Sequence, residues 1–377
     1  MKRITFIGIV VCLLAVLLFL NTGISYSWQT ETVDDSGYVG RYSSIAVDSA
    51  GYIHISQHDV TNYDLDHTTN VSGSWQTETV DTSIGFRGYT SISVDSLDSV
   101  HMSYYDGVLK YANNSSGSWQ NEVIDSSSSD IGRLTSIAND SYNNAHISYY
   151  DYANGTLKYA NNSSGSWENF TIDNIGVHSY AATSIAVDSS DNIHMSYLDV
   201  TGGVLMYATN SSGSWQTNSI SNGGYFSSIA IDSQDNIHIN YMTSSIWSQG
   251  DLVHATNTSG SWNTEIVDSA IKGYYTSTAI DLLDNVYVSY YDENVRGLVY
   301  ATNSSGSWQT ETIEQGGAGY ESSMAIDNSN NLHISYYGGG NLQYATQAGP
   351  VVPEPTSVIL FLSGGATMLG RYWRKKK

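Results

Sequence analysis

The sequence is poor in cysteine, proline and positive charge, and each shortage excludes something. A single cysteine, Cys12, occurs in 377 residues. No disulfide can form within the chain and no cysteine cluster can hold a metal. Stability must come from a packed core, which a body of more than 300 residues can supply. The only three prolines are Pro350, Pro353 and Pro355, so composition marks a boundary near the C-terminus. Basic residues number 14 against 36 acidic, and between Trp28 and Val351 only seven basic residues face 35 acidic ones. That balance argues against nucleic acid or an anionic membrane surface as partner. No window holds a helical period for long, and long apolar runs occur only at the two ends.

The first end reads as a secretory signal peptide over residues 1–27. Lys2 and Arg3 precede an apolar run from Ile4 to Leu20, and Asn21 to Ser27 is small and polar. Cleavage is expected after Gly23-Ile24-Ser25 or Ser25-Tyr26-Ser27, with an uncleaved anchor as the alternative. Cys12 lies midway along the apolar run, which does not suit lipidation.

The other end, residues 348–377, has three parts. Pro353-Glu354-Pro355 comes first, then an apolar stretch from Ser357 to Gly370, then a basic terminus from Arg371 to Lys377. A plain tail anchor with its basic end on the cytoplasmic side fits these facts, though the stretch is short for a full span. The order resembles the PEP-CTERM sorting signal of bacteria that make exopolysaccharide, with Val352 to Pro355 as its motif. The resemblance implies an exosortase as partner, transient membrane association through the tail, and delivery to the cell surface or matrix. Gly364 to Ala366 and the lysine-rich end are mild departures from that pattern.

Between the ends the chain repeats. Tryptophan recurs at Trp28, Trp75, Trp119, Trp167, Trp215, Trp262 and Trp308, at spacings of 47, 44, 48, 48, 47 and 46. Four phrases return in each interval: Ser-Ile-Ala-Val-Asp (Ser44 to Asp48), His-Ile-Ser-Tyr-Tyr-Asp (His146 to Asp151), Leu-Lys-Tyr-Ala (Leu109 to Ala112) and Ser-Trp-Gln-Thr-Glu-Thr-Val-Asp (Ser74 to Asp81). Each is strand-length, most are rich in β-branched and aromatic residues, and all are bounded by turn formers. Four strands in about 46 residues is the size of a propeller blade. The sequence therefore predicts an all-β, seven-bladed β-propeller of four-stranded blades over residues 28–347. The small-residue phrase belongs at the axis and the polar tryptophan phrase at the rim. Because the chain starts with a rim strand and ends with three inner ones, the N-terminal strand should complete the last blade. A twisted solenoid is the structural alternative.

Several repeated residues could carry chemistry. His54, His101, His146, His194, His238 and His333 share one position, with Tyr287 replacing histidine in the sixth blade. One residue per blade reads as a packing and hydrogen-bonding device rather than a metal site. The repeated Ser103, Ser148, Ser196, Ser289 and Ser335 read the same way. Asp-rich hairpins such as Asp188 to Asn192 offer oxygens for calcium, but turn chemistry accounts for them. They differ from the Asp-box of sialidase-type propellers. Asn-x-Ser/Thr triplets fit turns better than glycosylation.

The opposite loops hold the stronger candidates. An aromatic precedes most innermost strands, at Tyr42, Tyr89, Tyr180, Tyr225, Tyr274 and Tyr320. The second strand leaves through Tyr105-Asp106, Tyr150-Asp151, Leu198-Asp199 and Tyr291-Asp292. Rings beside carboxylates suit a sugar, with a face to stack on and acceptors for hydroxyls; packing within the blade is the plainer use. Trp247, off the rim pattern in the loop Thr243 to Gly250, is a binding candidate. Arg41, Arg87 and Arg133 all precede innermost strands and could receive a carboxylate or sulfate. Relief of acidic crowding is the equal alternative.

The repeat resembles those of exported bacterial propellers of the sialidase-like and lectin-like type over roughly Trp28 to Ala345. The resemblance implies the fold and little about activity. The leading functional expectation is a non-catalytic surface or matrix protein, without cofactor, that binds exopolysaccharide or another surface glycan. The rival is a sialidase-type glycoside hydrolase or lyase, against which no glutamate stands out from the repeat for acid–base work. A purely structural matrix protein is the third reading.

Overall fold

The computed structural model describes residues 27–178, 182–245 and 248–348. The signal and sorting segments, Pro353, Glu354 and Pro355, Tyr180 and Trp247 lie outside the described residues. Among the described residues no helix is long and apolar enough to cross a membrane.

The described chain forms 28 strands in seven antiparallel four-stranded sheets. Blade 1 runs outward through Arg41–Val47, Ile53–Asp59, Asp64–Thr69 and Gln76–Asp81, and the next five blades repeat that order. Blade 7 takes its three inner strands, Tyr320–Ile326, Leu332–Gly338 and Asn341–Gln347, from the C-terminal part of the described chain. Its rim strand is Gln29–Asp34, paired antiparallel with Gln29 opposite Thr346 and Glu31 opposite Tyr344. The expected closure by the first strand is therefore present, and it removes the free edge that an open array would leave.

The core is not central but lies in layers between blades. One layer joins Tyr150, Leu157 and Tyr159 of blade 3 to Ile185, Ile193 and Met195 of blade 4. Tryptophan seals each layer at the rim. Its indole meets the third-strand ring of the preceding blade edge-on, at Tyr300, Tyr344, His67, Tyr111, Tyr159, Tyr207 and His254, with centroids 4.9 to 5.3 Å apart.

The repeated histidine belongs to that layer. His194 lies between Tyr207 Oη, 2.5 Å from Nδ1, and Asp188 Oδ2, 3.1 Å from Nε2. His146 sits likewise between Tyr159 and Asp140. In blade 6 Tyr287 reaches Asp281 directly at 2.8 Å. In His101, His146 and His194 both ring nitrogens are thus used in a buried chain from hairpin to rim, and among the described residues no group of three metal-ligating side chains gathers.

At the axis a second device is repeated. The innermost strand has an unpaired edge, and a serine on it takes one amide from the next blade. Ser44 accepts from the Ile92 amide, Ser91 from Ile137, Ser136 from Ile185 and Ser184 from Ile229. Ser228 accepts from Thr278, Ser277 from Met324, and Ser323 from Ile45 of blade 1, which closes the circle. Small residues at the axis therefore do more than fit a narrow space; they satisfy an edge that would otherwise be orphaned.

Candidate functional site

An axial cavity of about 510 Å³ opens on the face opposite the Asp-rich hairpins. All seven innermost strands line it. The residue nearest the mouth differs from blade to blade: Tyr42, Tyr89, Leu134, Ala182, Phe226, Tyr275 and Glu321. Local backbone explains why these side chains face the axis. In blades 1, 3, 5, 6 and 7 the strand bulges here, and Tyr42, Leu134, Phe226, Tyr275 and Glu321 take φ of 52°, 52°, 53°, 57° and 55°. A bulge re-aims a side chain, and left-handed backbone at a bulky residue is strained. A glycine two residues earlier makes room. A Cβ on Gly40 would sit 2.6 Å from Leu342 Cα, and one on Gly319 would sit 2.6 Å from Leu298 Cα.

Glu321 is the residue that the sequence reading missed. Its carboxylate is buried, with a side chain 4% exposed. It accepts a two-pronged bond from Arg41, with Nε to Oε2 and Nη2 to Oε1 both 2.8 Å, and a third bond from the Tyr42 amide at 2.7 Å. The Arg41 guanidinium also lies 5.2 Å from the centroid of the Tyr42 ring. Burial works against its charge, but Glu321 more than offsets this and holds Arg41 above its ordinary value. A signal for Glu321 was present in the sequence. The motif Gly-x-Tyr/Leu/Phe recurs at Gly40, Gly132, Gly224 and Gly273, and its third position is glutamate only at Gly319-Tyr320-Glu321. The expectation that no glutamate departs from the repeat is corrected.

The same motif divides the expected aromatic set. Tyr42 and Tyr89 line the cavity with ring centroids 4.5 Å apart, joined by Tyr275. Tyr225, Tyr274 and Tyr320 lie one residue earlier, in register with Arg41. There Tyr320 stacks on Tyr291 at 4.0 Å, and Tyr274 also stacks on Tyr291, at 5.8 Å. Burial, first among the causes, raises the phenols of Tyr42, Tyr89 and Tyr275, so all three stay protonated at neutral pH.

The three arginines differ in state, and of them only Arg87 lines the cavity. The charges of Arg41 and Arg87 act on Tyr42, and those of Arg87 and Arg133 on Tyr89. Arg133 is bound at Nε to Asp130 Oδ1 at 2.6 Å, with a second short bond from Nη2, and lies 3.8 Å over the Tyr152 ring. Arg87 is exposed, lines the cavity, and has no ion-pair or hydrogen-bond partner among the described residues. It precedes Gly88, whose Cβ would meet His58 at 2.7 Å, and blade 2 has no bulge to carry Arg87 back against its neighbour. Phe86 beside it is 71% exposed.

The remaining candidates are committed within their blades. Tyr105 donates to Asp130 at 2.7 Å, and Asp106 pairs with Lys110 at 2.9 Å. Tyr150 and Tyr291 are fully buried. Tyr150 donates to the Gly176 carbonyl and Tyr291 to Glu293. Asp151, Asp199 and Asp292 accept from the turns that follow them, through Asn154, Thr201 and Asn294. Burial above all lifts the Asp292 carboxyl above its ordinary value. Asp151 and Asp292 are buried as well, whereas Tyr105, Asp106 and Asp199 stay partly exposed.

No family model matches the chain, and no curated protein does either. Solved structures share the architecture. A streptogramin B lyase is similar at a TM-score of 0.58 and 10% identity, over 85% of this chain and 98% of that one. An ulvan lyase, described as a new family of polysaccharide lyase and bound to GlcA(1-4)Rha3S, is similar at 0.58 and 11%, over 85% and 96%. A Dyadobacter fermentans protein of unknown function is similar at 0.52 and 11%, over 86% and 100%. At such identities the likeness establishes the fold alone: the chain is a seven-bladed β-propeller with an axial cavity whose mouth departs from the repeat.

Proposed function

We propose that the protein binds an acidic glycan at the axial cavity and does not turn it over. The observation that carries this reading is Arg87. It is an exposed guanidinium without a counter-ion among the described residues, beside the Tyr42–Tyr89 pair and exposed Phe86, in a chain that is otherwise strongly acidic. A guanidinium selects carboxylate or sulfate, rings stack on the apolar face of a sugar, and the serine and threonine lining offers hydroxyl partners. The ulvan lyase of similar fold is bound to a saccharide that contains GlcA, which is compatible with this class of ligand. Binding without turnover is favoured because Glu321 is engaged by Arg41 and Tyr42, and the cavity phenols are held protonated. Neither then serves as a ready base.

Binding of a polyuronate and of a neutral polysaccharide to the parent and to Arg87→Ala tests this. The expected result is saturable binding of the polyuronate alone, weakened at least about tenfold in the variant, a change of about 1.4 kcal/mol. Equal binding by both proteins rejects Arg87 as the contact that carries the reading, and binding by neither leaves the purely structural one. A second reading, a lyase or hydrolase, draws on the single Glu321 beside Tyr42. Release of unsaturated uronate or reducing ends, abolished in Glu321→Gln, would replace binding with catalysis.

We propose further that the chain is exported and sorted to the cell surface or matrix by an exosortase. The terminal motifs support this. Mass spectrometry of surface-extracted protein should find an N-terminus near residues 24–28 and no peptide beyond Pro355. Intact termini on cytoplasmic protein would reject it.

A further inference from the structure

Blades 2 and 3 each hold a lysine ammonium at one place between neighbouring blades. Lys110 Nζ lies 2.9 Å from Asp81 Oδ2 and 2.9 Å from Asp106 Oδ2. Lys158 Nζ lies 2.5 Å from Asp125 Oδ2. A second-strand tyrosine, Tyr104 or Tyr149, donates to the same carboxylate at 2.7 Å. The aspartate ends the preceding rim strand, and the lysine stands on the third strand opposite the tyrosine in register.

Blade 1 keeps the aspartate and reverses the rest. Asp34 takes the place of Asp81 and Asp125, Gln57 that of the tyrosine, and Asp66, opposite Gln57, that of the lysine. Asp34 and Asp66 are 7% and 5% exposed, and Gln57 is fully buried. Gln57 Nε2 donates to Asp34 Oδ2 at 2.8 Å and to Thr68 Oγ1 at 3.0 Å. Among the described residues its carbonyl oxygen Oε1 and Asp66 Oδ1 have no hydrogen-bond partner. A spot filled by a cation in two sister blades is therefore lined in blade 1 by two buried carboxylates and a buried amide. Asp34 also accepts from the Ser36 amide and Thr77 Oγ1, whereas Asp66 Oδ1 and Gln57 Oε1 meet no donor among the described residues. Buried acceptors left in that state are costly, and buried carboxylates more so. Two shorter side chains, glutamine for tyrosine and aspartate for lysine, also fill less space.

We propose that blade 1 binds one hard divalent cation of the calcium type between Asp34, Asp66 and Gln57 Oε1, where the sister blades place an ammonium. Two carboxylates balance its charge. Among the described residues no three His, Cys, Asp or Glu side chains gather at one point, so the site suits an ion that accepts an amide carbonyl and water beside carboxylates. Calcium does so with oxygen ligands in flexible geometry. The ion would lie between the rim strand that closes the ring and the first blade, joining the two ends of the repeat.

The test is calcium titration of the chelator-treated full chain at pH 8 in moderate potassium chloride, read by calorimetry and by the thermal midpoint. The expected result is one tight equivalent and a midpoint raised by about 5 °C at saturation. Asp66→Lys, which installs the ammonium of the sister blades, should lose both effects and melt near the calcium-loaded parent. Asp66→Asn, which keeps the size and removes the charge, should lose the tight equivalent. No midpoint shift in the parent overturns the proposal. So does a shift that survives in both variants, since that is diffuse binding to an acidic surface, or an equal shift produced by potassium alone.

Discussion

On the hairpin face Ser189 donates to Asp235 of the next blade through its amide, at 2.9 Å, and its hydroxyl, at 2.6 Å. The same pair of bonds joins Ser49 to Asp98, Ser96 to Asn143, Ser141 to Asp191 and Ser233 to Asp284. At the opposite mouth the equivalent positions read Tyr42, Tyr89, Leu134, Ala182, Phe226, Tyr275 and Glu321. One face repeats a bond, and the other repeats only a backbone bulge, in blades 1, 3, 5, 6 and 7. Repetition of chemistry builds the ring, whereas repetition of geometry with varied side chains gives a pocket that is not seven-fold. Strain follows the same division. Asp98, Asp191, Asp235 and Asp284 also have positive φ, but there it sits in short polar residues suited to tight turns. At the mouth it falls on tyrosine, leucine, phenylalanine and glutamate.

That contrast can be broken at several points. Deleting residues 28–34 should have the largest effect, because it removes the strand paired with Asn341–Gln347 and exposes an edge. Both faces should then be lost together, seen as disappearance of the cooperative thermal transition and gain of rapid proteolysis.

Acid comes next, because it acts on many blades at once. Burial, the first cause, holds His54, His101, His146, His238 and His333 below their ordinary value. An unfolded histidine titrates near about 6.5, so the unfolded chain takes up protons first. The stability contributed by the neutral histidines is full above that pH and falls as pH drops below it toward the depressed folded values. Urea midpoints between about pH 7.5 and 5.5 should decline, and His101→Gln should flatten the decline. A flat profile would mean that the Asp–His–Tyr chains do not require neutral imidazole.

Glu321→Ala leaves Arg41 half-buried without its partner and should cost about 3 kcal/mol by chemical denaturation. In the repeated bond at the axis Ser184→Ala orphans one amide, that of Ile229, and should cost about 1 kcal/mol. If the two costs are equal, the mouth is scaffold like the rest. Smallest of all, Arg87→Ala should stay within about 0.5 kcal/mol of the parent while losing acidic glycan. A large loss of stability would make Arg87 a structural residue.

The blade count, the strand order and the closing role of the first strand were all legible, because a period near 46 residues with four short strands leaves few other solutions. The structural use of histidine was also legible, and so was that of the second-strand serine: Ser103, Ser148, Ser196, Ser289 and Ser335 are fully buried and bond to Thr135, Thr183, Ser227, Ser322 and Ser43 of the next blade. The candidate site was legible only in part. Of the three arginines only Arg87 lines the cavity, and nothing in the spacing separates it from Arg41 and Arg133, which are taken by Glu321 and Asp130. Tyr150, Tyr291, Asp151 and Asp292 looked like a loop surface because the chain exits there. In the fold Tyr150 packs into the core between blades and Tyr291 stacks on Tyr320 and Tyr274, while the following turns donate to Asp151 and Asp292.

By itself the sequence determined the ring, because local strand propensity, turn residues and a long period all agree on the same unit. Only the tertiary structure decided which side chains meet across blades, such as Glu321 with Arg41, which are 280 residues apart in the chain. It also decided which residues a bulge turns toward the axis. Those choices depend on distances around a closed circle and on one-residue shifts of register, and neither is written in the composition of any single repeat.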